Sequence, residues 1–296
     1  MEAFARFGWQ GIEASVPNSW ELGAHHGDHR AGYACLDDGR EVRLQVRWSL
    51  SKGGDTDLEG VLRRYQRSLA KACKGNLRFD RQHAEWAPEC AWEDRAVAPF
   101  FWQSEREAFG FASHCRGCGR VVIVEVLFPV NESDPSLANR IMGSLVDHRD
   151  DGRTLWSVYG FAFSVPSTYD LDHADLVPGR LRFLFRSARR SWMRVERWAL
   201  ASQWMDKVAL EVWPEELLKL MGVSRCGSLD RKGTQINGHK AVSFSATVAG
   251  YGFFRRDQVK GLVWNDPDED KAFVVMEAGG PDRLIQEVAD TVGRQA

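Results

Sequence analysis

Two stretches of this chain are near copies of each other. Residues 11–22 (GIEASVPNSWEL) and 160–171 (GFAFSVPSTYDL) align without a gap and share the opening Gly, the Ser-Val-Pro run and the closing Leu. A segment copied at a fixed offset makes the chain two related units rather than one large fold. The offset, about 150 residues, suits tandem domains and not a solenoid of short repeats.

Further matches continue at that spacing. Arg47-Trp48 recurs as Arg197-Trp198, residues 86–92 (WAPECAW) stand opposite 236–242 (INGHKAV), and Phe109-Gly110-Phe111-Ala112 stands opposite Lys260-Gly261-Leu262-Val263. Each unit then closes on a β-rich run, a Pro suited to a first helical turn (Pro135, Pro281) and an apolar stripe of three- to four-residue period. That stripe is Leu137, Ile141 and Leu145 in the first unit and Leu284, Val288 and Val292 in the second. The charged string at 147–153 (DHRDDGR) has nothing to bury and reads as linker, giving a first repeat at 1–148, a linker at 149–155 and a second repeat at 156–296.

Within a unit the pattern is strands, helix, more strands, helix. Leu58, Val61, Leu62, Tyr65 and Leu69 form one stripe, with Asp57 placed to cap the first turn, so a helix is predicted at 58–72. Its counterpart is predicted at 215–221, between Pro214 and Gly222. In RLRFLFR, at 180–186, Leu181, Phe183 and Phe185 share one face of a strand, and Arg180, Arg182 and Arg186 the other. Short links between strands imply a mostly antiparallel sheet with helices laid on it, an α+β architecture.

This order, with Ser-Val-Pro followed by Trp-Glu-Leu or Tyr-Asp-Leu, the Asn-Gly-His-Lys-Ala run at 237–241, a long hairpin and a closing helix, resembles the Mog1/PsbP-like fold. The first unit departs from it at 86–92, which lacks the Asn-Gly pair. The resemblance implies two tandem α-β-α sandwich domains, each a twisted, mostly antiparallel sheet flanked by helices. Members of that group are mostly non-enzymatic partner-binding domains, so it implies a binding role and carries over no catalytic residue.

At 44% apolar and 27% charged residues the chain has enough apolar side chain for two cores without disulfides or metals. No window approaches the roughly 20 apolar residues of a membrane-spanning helix. The start, MEAFARFGWQ, has no basic segment followed by an apolar core and cleavage site, so a cytoplasmic location is expected, with the six Cys mostly reduced. A net charge of −2 argues against a dedicated nucleic-acid binder. The expected partner is another protein, with no membrane association.

Four constellations are candidates for chemistry. Cys115-Arg116-Gly117-Cys118-Gly119 has the spacing of a zinc knuckle, whose turn aims two sulfurs at one ion. No second Cys-x-x-Cys exists, so His114, Cys90 or His83 would complete a zinc site; the alternative is a hairpin tip with two reduced thiols, and a metal- or thiol-dependent enzyme or sensor would use the same pair. His25-His26-Gly27-Asp28-His29 holds metal-binding side chain types, but adjacent side chains in an extended loop point apart, so a solvated inter-strand loop is expected. Arg180, Arg182, Arg186, Arg189 and Arg190, followed by Arg194 and Arg197 and interleaved with Phe and Trp, form a candidate surface for anions or nucleic acid; the competing reading is a solvated face over a core of aromatics. The twelve tryptophans read more economically as core than as a ligand pocket, and the nucleophile-elbow, P-loop, zincin and dinucleotide motifs are missing.

Overall fold

Alternating apolar residues set this fold, because they turn most of the chain into strands that must bury one face or both. The computed structural model describes residues 3–51, 56–81, 95–188, 191–205, 208–223, 226–248 and 257–293. These divide into two units: Met1–Asp151 with Leu155–Gly160, and Gly152–Thr154 with Phe161–Arg294. Both are built mainly of antiparallel sheet with helices against it. Among the described residues no helix is long and apolar enough to cross a membrane.

In the first unit β1 (Phe4–Trp9) and β2 (Ile12–Pro17) form a hairpin. Then follow β3 (Glu21–Gly27), β4 (Ala31–Asp37), β5 (Val42–Leu50), α1 (Leu58–Ala72), β6 (Arg78–Asp80), β7 (Arg95–Gln103), β8 (Arg106–Cys115), β9 (Arg120–Pro129) and α2 (Pro135–Gly143). The seven strands β3 to β9 make one sheet in the order β3-β4-β5-β9-β8-β7-β6. Helix α1 starts where Asp57 accepts from the Gly60 N–H at 2.9 Å, and its apolar stripe packs Leu58 and Leu62 against Phe100, Trp102 and Ala112. Next comes β10 (Arg153–Val158), whose residues from Leu155 onward belong with this unit: Ser157 pairs with Gly8, and Trp156 meets Trp9 edge-on at 5.2 Å.

The second unit contains β11 (Phe161–Pro166), β12 (Tyr169–Val177), β13 (Arg180–Ser187), β14 (Trp192–Ala199), α3 (Ala201–Met205), α4 (Trp213–Leu220), β15 (Cys226–Ile236), β16 (His239–Val248), β17 (Asp257–Asp266), β18 (Lys271–Ala278) and α5 (Leu284–Ala289). Its sheet runs β12-β13-β14-β18-β17-β16-β15, the same strand order as in the first unit. Leu217 and Leu218 of α4 join Val242, Phe244 and Met276 in one core, while Phe183 and Phe185 meet Phe163 on the opposite face of β13. The closing helix starts later than its sequence suggests: Pro281 caps a turn through the Leu284 N–H, and α5 begins at Leu284.

Gly110 and Gly261 occupy the same place in the two sheets. Gly110 lies opposite Phe100 and Glu125, and Gly261 opposite Phe244 and Met276. A Cβ at Gly110 would run into the Phe100 ring, and at Gly261 it would stand 2.5 Å from the Phe244 ring. This register corrects one sequence match. Gln45 pairs with Glu125 and Arg194 with Met276, so Trp48 corresponds to Arg197 rather than to Trp198. Both tryptophans are buried, but strand alternation puts them on opposite faces of their sheets.

Gly110→Ala and Gly261→Ala should each destabilise their unit by about 1–3 kcal/mol through overpacking. Gly233→Ala, on an exposed strand where a Cβ meets nothing within 4 Å, should stay within about 0.5 kcal/mol of the parent. Urea unfolding followed by tryptophan fluorescence checks both.

Candidate functional site

The hairpin joining β8 to β9 is tight because Gly119 adopts a positive φ of 73° and returns its N–H to the Cys115 carbonyl at 2.9 Å. The Cys118 N–H points at Cys115 Sγ, 3.5 Å away. Cys115 is buried and Cys118 exposed. Although the residue reaches the surface, partial desolvation of its sulfur and neighbouring negative charge push the Cys118 thiol up to about 11, so it is no activated thiolate.

Two more donors come from the segment after α2. The backbones of Glu13 and Val146 exchange hydrogen bonds at 2.7 and 2.9 Å, and Ser144 Oγ accepts from the Ser15 N–H at 2.8 Å. These contacts hold Asp147 and His148 against the hairpin, and one ligand atom from each of Cys115, Cys118, Asp147 and His148 lies within 4.8 Å of the other three. Among the described residues this is the one group of His, Cys, Asp and Glu side chains so arranged.

Asp147 overturns the expectation that its charged string has nothing to bury, since it is 0% exposed. Its Oδ1 accepts from Arg95 and lies 2.6 Å from His148 Nδ1, while its carbonyl accepts from Arg120 at 2.7 Å. Its Oδ2 is buried with no hydrogen-bond partner among the described residues. Arg95 stands directly across from Cys115 in the β7–β8 ladder, on the same face. His114, expected as a third ligand, precedes Cys115 on β8 and therefore points to the other face, toward the core under α1. Cys90 and His83 lie outside the described residues.

The histidine run does not converge. The His25 ring packs on Trp9 at 4.4 Å, His26 stacks on Tyr33, and Asp28 Oδ1 accepts from the N–H groups of Arg30 and Ala31.

The arginine-rich strands carry their own counter-ions. Arg180 bonds Glu196 at 3.0 Å and lies over the Trp198 ring; Arg182 pairs with Asp175, Arg186 with Asp172 at 2.9 Å, and Arg194 with Glu196. The aspartates come from β12, the neighbouring strand, which a reading of 180–197 alone does not include. Arg189 and Arg190 lie outside the described residues. No motif or periodicity marks Glu125, buried on β9 beneath α1, where it accepts from Tyr65 at 2.6 Å and Trp102 at 2.8 Å while burial pushes its carboxyl up.

No family model matches this sequence. No curated protein matches it either. Among solved structures the chain is similar to the apo immunity protein TplEi of T6SS from Pseudomonas aeruginosa, at 8% identity and a TM-score of 0.36 over 99% of this chain and 97% of that one. It is also similar to TplEi complexed with "L" peptide, at 10% identity and 0.37 over 98% and 97%. A chain of the Tle4-Tli4 complex gives 8% identity and 0.36 over 98% and 96%.

Glu196 is 0% exposed and its partner Arg194 is 3% exposed, so Glu196→Ala should cost about 3–5 kcal/mol by stranding a buried cation. Arg186→Ala, at an exposed pair, should change stability by less than about 1 kcal/mol. Thermal unfolding of the two variants distinguishes these outcomes.

Proposed function

We propose that this protein acts by binding another protein, whose extended segment adds a strand to the second unit's sheet at β15. The observation that carries this reading is the edge itself. β15 is eleven residues long and exposed along most of its length, and among the described residues it pairs only with β16. Among the described residues its first-unit counterpart, β6, spans Arg78–Asp80.

The free hydrogen-bonding positions follow from the turn. Asn237 and Gly238 both have positive φ, 51° and 86°, which is the two-residue turn of a tight hairpin. Such a turn makes Ile236 and His239 a hydrogen-bonded pair. By alternation Gln235, Gly233 and Arg231 then direct their backbone groups away from β16. Beside this edge an open groove of about 330 Å³ is lined by Lys232, Ser243, Ser245, Lys260 and Leu262. An added strand supplies main-chain hydrogen bonds, and its alternate side chains enter the groove and give selectivity. Charged Asp230, Arg231 and Lys232 keep the unoccupied edge from pairing with copies of itself.

The domain duplication and the Mog1/PsbP-like resemblance, a group made mostly of partner-binding domains, fit this role.

Capture from lysate with a lysine-reactive cross-linker should give cross-links at Lys232 and Lys260. Gly233→Pro removes one outward N–H without touching the ladder to β16, and it should weaken capture of the same protein about tenfold. Arg186→Ser, on β13 away from this edge, should leave capture unchanged. Capture indifferent to Gly233→Pro in a variant of unaltered circular dichroism overturns the reading.

A further inference from the structure

We propose that Cys115, Cys118, Asp147 and His148 bind one zinc ion, which clamps the β8–β9 hairpin of the first unit to the chain following α2. Tetrahedral zinc with sulfur ligands at about 2.3 Å and nitrogen or oxygen ligands at about 2.0–2.1 Å requires donor atoms about 3.3–3.8 Å apart. The four donor atoms already lie within 4.8 Å of one another, so closing on an ion takes small side-chain movements. They arrive from two separate pieces of chain, each fixed by its own backbone hydrogen bonds: Gly119 to Cys115 on one side, Val146 to Glu13 on the other.

Two further observations point to a cation. Arg95 meets Asp147 at Oδ1, but Oδ2 is a buried carboxylate oxygen without a hydrogen-bond partner among the described residues, a costly position unless a donor or a cation meets that atom as well. The Cys118 N–H, directed at Cys115 Sγ, is placed as the supporting donor that ligand thiolates receive in zinc hairpins.

The charge balance allows occupation. Loading releases one proton from each thiol and brings in one divalent cation, so the net charge of the site does not change. Arg95 and Arg120, which flank Asp147, therefore suit the site with a bound ion as well as without one. Two thiolates, one carboxylate and one imidazole complete the four ligands of a closed structural site, with no open position for a substrate. Among the described residues the second unit has no counterpart: its equivalent β17–β18 turn is held by Asp266 Oδ1 accepting from the Asp268 and Glu269 N–H groups.

The full chain, purified without chelator and supplied with zinc ion alone, should show one zinc per chain by native mass spectrometry and unfold at a higher temperature than the chelator-treated protein. Cobalt(II) in place of zinc should give thiolate charge-transfer absorption, lost in Cys115→Ser/Cys118→Ser. His148 is 38% exposed, so His148→Ala should fold normally yet bind zinc at least about 100-fold more weakly. An apo mass after zinc addition, a metal-free chain lighter by two hydrogens through a Cys115–Cys118 disulfide, or unchanged zinc affinity in both His148→Ala and Asp147→Asn would each overturn the assignment.

Discussion

An aromatic ring set into the space beside a glycine on the next strand is the constraint on which both sheets depend. Phe100 occupies the space of the missing Gly110 side chain, and Phe244 that of Gly261. Without a Cβ beneath it, each ring stays close to the sheet and leaves room for a helix: α1 in one unit, α4 in the other. The glycine also fixes which residue of the neighbouring strand comes under the helix. In the first sheet that residue is Glu125, which needs Tyr65 and Trp102 as hydrogen-bond donors; in the second it is Met276, which needs only packing.

Local periodicity carried much of this fold. The stripe from Leu58 to Leu69 and the Asp57 cap mark α1, and the alternation of Leu181, Phe183 and Phe185 matches the buried positions of β13. The Gly110–Gly261 match also holds in the strand register. The identical Arg-Trp pairs do not, because a one-residue slip reverses the face of every side chain and an apolar residue is welcome on either face of a doubly covered sheet. Identity of letters there reflected a common preference for burial, not a common position.

Charge was the part that sequence reading could not place. Asp147 sits in a run that resembles any solvated connector, and its burial follows from Arg95 and Arg120, which reach it from β7 and β9. The arginines of β13 look like a basic surface until β12 is laid beside them with Asp172 and Asp175. In both cases the deciding partner belongs to another strand, and cross-strand neighbours are a property of topology rather than of adjacency. Half of the Cys115 cluster was legible for the same reason: Cys115 and Cys118 share a turn and can be read together, while Asp147 and His148 come from beyond the next helix.

Where the chain is divided has a consequence for anyone who separates its halves. The passage through residues 152–154 looks like a natural place to cut, yet Leu155–Gly160 belongs with the residues before it. Glu21 accepts from the Tyr159 N–H at 2.9 Å, and the Leu22 carbonyl accepts from its hydroxyl. A fragment ending at Asp151 would forfeit this strand and leave the hairpin of β1 and β2 with a bare edge, whereas one ending after Gly160 would keep it. Fragment length therefore decides whether an isolated first half keeps β10 beside β1.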